Sequence, residues 1–166
     1  MAGAILAAAT FSGEARAQFT GPGIYNISIA STPDALDIDT SWWRGNNAGQ
    51  PLNRWGRHNG ANQTFVVLAD GGGFVIRALH SLQCLDVRGA LTAAGTPLQQ
   101  FPCHGGANQR FIIAVNATNP LSLIRPAHAP GMLLHARTPG GVVVLAPQPA
   151  GTSPLLVGMI FTFNRI

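Results

Sequence analysis

Gly60-Ala61-Asn62-Gln63-Thr64-Phe65 returns 46 positions later as Gly106-Ala107-Asn108-Gln109-Arg110-Phe111. The echo extends backwards, because Gly49, Pro51, Leu52, Trp55 and His58 precede Gly95, Pro97, Leu98, Phe101 and His104 by the same interval. A pattern written twice at that spacing marks a repeat protein, whose units cover hydrophobic faces that none of them could bury alone.

The rest of the chain is read through that period. Short apolar or alternating runs fall at 24–30, 36–38, 52–55, 64–68, 74–79, 84–87, 98–101, 110–115, 121–125, 132–135, 142–145 and 160–164, separated by Gly, Pro and Asn. No capped run of period 3.6 exceeds two turns, so helix is minor and twelve strands in three sets of four are expected. Turns such as Gly71-Gly72-Gly73 lie between the runs, where tight backbone bends need them. Three equal units suit a closed, pseudo-threefold all-β barrel, since closure removes the exposed strand edges. A β-sandwich is the competing architecture, and it has no need of the echo.

The 166 residues are room for one domain, and 46% hydrophobic with 10% charged is a globular balance. All ten basic residues are Arg, opposed by six acids, for a net charge of +4. Besides Arg16, the arginines are scattered from Arg44 to Arg165, which reads as a weakly basic solvated surface rather than a nucleic-acid stripe. Residues 1–17 read as a targeting segment: an apolar stretch from Ala2 to Phe11, then the small-x-small sequence Ala15-Arg16-Ala17, without the usual positive start. The alternative is a disordered N-terminal tail. The first reading predicts a secreted or periplasmic protein whose domain is 18–166. No later apolar run is long enough to span a membrane as a helix.

Cys84 and Cys103 agree with export. In an oxidising compartment they would most simply pair, closing a loop worth on the order of 3 kcal/mol. Two buried thiols and a metal site are the alternatives, and the second lacks a short Cys-x-x-Cys spacing. No metal or cofactor is expected.

Cys84-Leu85-Asp86-Val87, then Leu98-Gln99-Gln100-Phe101-Pro102-Cys103, then Asn108-Gln109-Arg110-Phe111 resembles the repeat of the ricin-B-type lectins. That resemblance implies a β-trefoil carbohydrate-binding domain, with units at about 24–69, 70–116 and 117–166. It also implies roles for single residues. Asp86 accepts hydrogen bonds from sugar hydroxyls, Gln99 and Asn108 add further ones, and Phe101 is the platform on which a sugar stacks. In the first unit the matching residues are Asp37, Asn53, Asn62 and Trp55. Gln63 with Phe65, and Gln109 with Phe111, match the part of the motif that holds the fold.

The chemistry of these residue types agrees with the resemblance. A sugar presents vicinal hydroxyls on an edge and C–H groups on a face. It therefore needs a carboxylate that accepts twice, amides that give and accept, and a flat ring. Competing readings make Asp37 and Asp86 turn residues and Trp55 and Phe101 core residues.

The other units depart from the middle one. The first lacks both cysteines, with Ala35 and Arg57 in their places, and carries an insertion around Trp42-Trp43-Arg44-Gly45-Asn46-Asn47 that makes Asp39 an alternative to Asp37. The insertion is expected to rim the first pocket or cap the barrel end. In the third unit His135 takes the aspartate position and Val144 to Ala146 replace the polar-aromatic pair, so its pocket is expected to be lost. The apolar run 142–145 would then be free to dock a partner protein.

No nucleophile elbow, His-Glu-x-x-His or Gly-rich loop with Lys occurs, so no catalytic residues are expected. His58 and His104 read as loop residues near the pockets. The favoured function is glycan binding by up to two pockets. The alternative is a protein-binding trefoil, an inhibitor or a receptor-binding subunit, without working sugar sites.

Overall fold

A computed structural model describes residues 18–41, 45–116, 119–150 and 157–166. Residues 1–17, read above as a targeting segment, and the Trp42-Trp43-Arg44 part of the insertion lie outside them. All twelve runs are strands: β1 (Gly23–Ile29), β2 (Asp34–Ile38), β3 (Leu52–Gly56), β4 (Thr64–Asp70), β5 (Gly73–Ala78), β6 (Cys84–Val87), β7 (Leu98–Phe101), β8 (Arg110–Asn116), β9 (Asn119–Pro126), β10 (Met132–His135), β11 (Val144–Pro147) and β12 (Phe161–Arg165). The helices described among them are single 3-10 turns, of which Ala61–Gln63 and Ala107–Gln109 carry the repeated Asn-Gln motif.

Six strands close on themselves. β1 pairs with β4, β4 with β5, β5 with β8, β8 with β9, β9 with β12, and β12 returns to β1, every pair antiparallel. The other six form three hairpins, β2–β3, β6–β7 and β10–β11. Each hairpin leans on the next through single bridges, Pro51 to Gln99, Pro97 to Val144 and Asn53 to Val142. A six-strand barrel capped by a triangle of hairpins is a β-trefoil.

The repeat explains the core. Phe65, Phe111 and Phe161 hold equivalent positions at the start of β4, β8 and β12, and all three are fully buried. Leu52, Leu98 and Val143 meet beneath the hairpins in the same way. Val143 N–H donates to Leu52 O at 2.7 Å, and Leu98 N–H donates to Val143 O at 2.9 Å. Gly49, Gly95 and Gly140 open the second strand of each hairpin with φ of +84°, +84° and +75°, a conformation costly for any residue with a Cβ.

Cys84 and Cys103 form a disulfide between β6 and the chain just after β7. In the run at 142–145, Val143 and Leu145 point into the core, while Val142, 40% exposed, and the half-buried Val144 face outward. The outward apolar surface of this run is therefore those two side chains.

Candidate functional site

Antiparallel register puts side chains of directly opposed residues on one face of a hairpin, together with those two positions along. Asp37 is opposite Asn53 and Ala35 is opposite Trp55, so Asp37, Asn53 and Trp55 share the outer face of β2–β3. Asp86 opposite Gln99 and Cys84 opposite Phe101 repeat the arrangement on β6–β7. The register also decides between Asp37 and Asp39: Asp37 is the equivalent of Asp86. The rings are not core residues, for Trp55 is 52% and Phe101 39% exposed.

The 3-10 turn that follows each hairpin folds back over its carboxylate. Asp37 Oδ2 accepts from His58 Nε2 at 3.1 Å, Asn62 Nδ2 at 3.0 Å and Gln63 Nε2 at 2.9 Å. Asp86 Oδ2 accepts from His104 Nε2 at 3.2 Å, Asn108 Nδ2 at 2.9 Å and Gln109 Nε2 at 2.9 Å. Gln63 and Gln109 also tie the turns down, since their Oε1 atoms accept from the backbone N–H of His58 and His104.

The histidines were not placed in the site by the sequence, yet both reach the carboxylate. Their Nδ1 atoms accept from Gly60 N–H and Gly106 N–H, so the ring proton lies on Nε2 and points at the aspartate. The available signal was the equal spacing of His58 and His104 from Gln63 and Gln109.

The two nets diverge at the remaining carboxylate oxygen. Asp86 Oδ1 accepts from Gln99 Nε2 at 3.1 Å, and Gln99 Oε1 accepts from Arg88 Nε at 2.9 Å. Asn53, one methylene shorter, makes no bond to Asp37, and its own Oδ1 is buried without a partner. A cleft of about 420 Å³ opens there, lined by Asp37, Asp39, Asn53, Trp55, His58 and Asn62, with Thr40, Ser41 and Gly140 at its rim. Gly140 belongs to the third repeat: a Cβ there would stand 3.5 Å from the Trp55 ring, so that ring lies against the neighbouring unit. Burial pushes the Asp37 carboxyl above the ordinary aspartate range, against the opposing pull of the Gln63 and His58 bonds.

The described residues of the third repeat form no such net. His135 sits at the aspartate position, buried, with Nε2 donating to Val157 O at 3.2 Å, and burial lowers its pKa. Met159 occupies the place of Gln63 and Gln109 and is buried in the core.

Comparison with known proteins agrees with this fold. Among solved structures, the designed threefold-symmetric protein ThreeFoil is similar with a TM-score of 0.74 at 22% identity, over 87% of this chain and 99% of its own. A ricin B-like lectin of Macrolepiota procera, in complex with lactose, gives 0.70 at 19% identity over 90% and 99%. An exo-β-1,3-galactanase from Clostridium thermocellum gives 0.72 at 19% identity, but this chain spans only 31% of that enzyme. No curated protein matches in sequence. The family model described as ricin-type beta-trefoil lectin domain-like matches residues 15–101 and 61–144, which together cover most of the chain. The chain belongs to the ricin-type β-trefoil lectin family.

Proposed function

We propose that this is an exported carbohydrate-binding protein that has up to two sugar hollows, of which the first-repeat cleft is the better formed. The observation that carries the reading is Asp37 Oδ1, without a hydrogen-bond partner among the described residues, beside an exposed tryptophan in a cleft of about 420 Å³. A sugar hydroxyl would donate to Asp37 Oδ1 beside Asn53, which lines the cleft, while the sugar's apolar face lies on Trp55.

Binding rather than catalysis fits the arrangement. Hydrolysis by paired carboxylates needs them to flank one bond at roughly 5 to 9.5 Å, whereas Asp37 and Asp86 stand on different hairpins with separate donor sets. The Cys84–Cys103 disulfide supports an oxidising compartment, and the leader-like start of the sequence supports export.

The test is a glycan and polysaccharide binding screen on the protein and on Asp37→Ala. Sugar binding that disappears in the variant is expected. Binding that survives unchanged, or no binding to any glycan, removes the reading.

A further inference from the structure

The two hollows share a donor net down to the atom, and, apart from the ring, Trp55 in one and Phe101 in the other, two positions beside the carboxylate separate them. Asp39 and Arg88 are equivalent, since Asp39 N–H donates to Pro51 O at 3.0 Å and Arg88 N–H donates to Pro97 O at 3.1 Å. Asn53 and Gln99 are equivalent by register.

We infer that Arg88 and Gln99 close the second hollow from within, so that the chain carries one working sugar site. This rests on the carbohydrate-binding reading above. Gln99 uses its N–H on Asp86 Oδ1 and its carbonyl on Arg88 Nε, leaving Asp86 only 2% exposed with both oxygens bonded. Arg88 Nη2 also reaches Gly49 O at 3.4 Å, which anchors the guanidinium to the loop of the first repeat.

A sugar hydroxyl approaching Asp86 must displace Gln99 and strand the amide from both of its partners. Such a replacement gains little, because each new bond is offset by one that is broken. In the first repeat the corresponding carboxylate of Asp39 turns aside to accept from Ser41 N–H at 2.8 Å, and Asn53 is too short to bridge. Among the described residues no side chain then bonds Asp37 Oδ1, although Asp37 is itself only 6% exposed.

The consequence is valency. A protein with one site binds glycan without cross-linking it, and gains no avidity on a multivalent surface as a monomer.

The experiment titrates the full chain with lactose, xylotriose and chitotriose by calorimetry. One sugar per chain is expected for the unmodified protein, and a stoichiometry of two overturns the inference while leaving carbohydrate binding intact. Absence of heat with all three sugars counts against carbohydrate binding itself.

Two exchanges complete the test. Arg88→Asp with Gln99→Asn copies the surroundings of the first carboxylate onto the second and is expected to raise the stoichiometry from one to two. Asp39→Arg with Asn53→Gln makes the reverse change and is expected to weaken binding at least tenfold. Should the first exchange leave the stoichiometry at one, or the second leave affinity intact, in proteins of unchanged thermal midpoint, Arg88 and Gln99 are not the closure.

Discussion

Gln99 Nε2 lies 3.1 Å from Asp86 Oδ1, a bond that Asn53 does not make to Asp37. One methylene therefore separates a carboxylate spent wholly on internal cohesion from one that keeps an oxygen for a ligand. A complete buried polar net rigidifies a structure, whereas a buried acceptor left unpaired is costly until something donates to it.

Asp37→Asn isolates that oxygen's chemistry. The amide keeps the shape but turns at least one N–H toward three donors or toward the ligand, and bonds to a charged group are worth about 1.5–3 kcal/mol. Sugar affinity is expected to fall by roughly 10- to 100-fold, measured by calorimetric titration. Affinity within twofold of the unmodified protein would show that Asp37 does not receive the sugar.

Trp55→Ala tests the platform separately from the fold. More than half the ring is exposed, so the thermal midpoint is expected to change little, as at most surface positions. An aromatic contact contributes about 0.5–1.5 kcal/mol beyond buried area, which predicts roughly a tenfold loss of affinity with Trp55→Phe intermediate. A large drop in melting temperature without an affinity change would make Trp55 a packing residue.

Gly60 offers a test of positioning. A Cβ at Gly60 would lie 2.7 Å from the His58 ring and 2.8 Å from Asn62 Oδ1, both of whose side chains donate to Asp37. The backbone itself is in the extended region and accepts alanine without strain. Gly60→Ala is therefore expected to weaken sugar binding severalfold by displacing those donors. An unchanged affinity would show that the net tolerates the shift.

These predictions rest on parts of the molecule that differ in how far the sequence discloses them. The twelve strands and the threefold arrangement were legible, because alternation, turn residues and the 46-residue echo all point the same way. Asp37, Asn53 and Trp55 were legible as a set through the resemblance to the ricin-B-type repeat, and the strand register is what puts them on one face. The histidine contacts were not, since His58 and Asp37 are 21 positions apart and meet only once the 3-10 turn folds over β2. The contrast between the hollows was hidden too. Asn and Gln look interchangeable in a motif, and the difference appears only when their reach across a strand pair is known.

The disulfide carries a prediction about where stability and binding part. Closing the Cys84–Cys103 loop contributes on the order of 3 kcal/mol, so the double change Cys84→Ala with Cys103→Ala is expected to lower the melting temperature by about 6–12 °C for a chain of this size. The first hairpin holds its register with Ala35 and Arg57 at those places. Sugar affinity below the new melting point should stay within twofold, and a larger loss would mean that the second repeat contributes to binding.

Acid separates stability from binding through two different groups. Burial raises the folded pKa of Asp37 above its ordinary value of 3.8, so the fold favours its protonated form. Its contribution to stability is thus present at low pH and lost as pH rises through the folded value, and protonating it does not by itself unfold the chain. Sugar binding has the opposite requirement, because a protonated carboxyl has lost the acceptor, and affinity should decline with acid at a pH above 3.8. His135 governs the other profile. Burial lowers its folded pKa below 6.5, so the unfolded chain takes up the proton first and stability, intact above 6.5, drains away as pH falls. His135→Leu is expected to flatten the melting temperature between pH 7 and pH 5, leaving the exposed Val157 carbonyl to water. His58, the other titratable group bonded to Asp37, is controlled by His58→Gln, which still carries N–H groups and cannot titrate. An acid decline in affinity that persists in that variant belongs to Asp37, and one that vanishes in it transfers the pH dependence to the histidine.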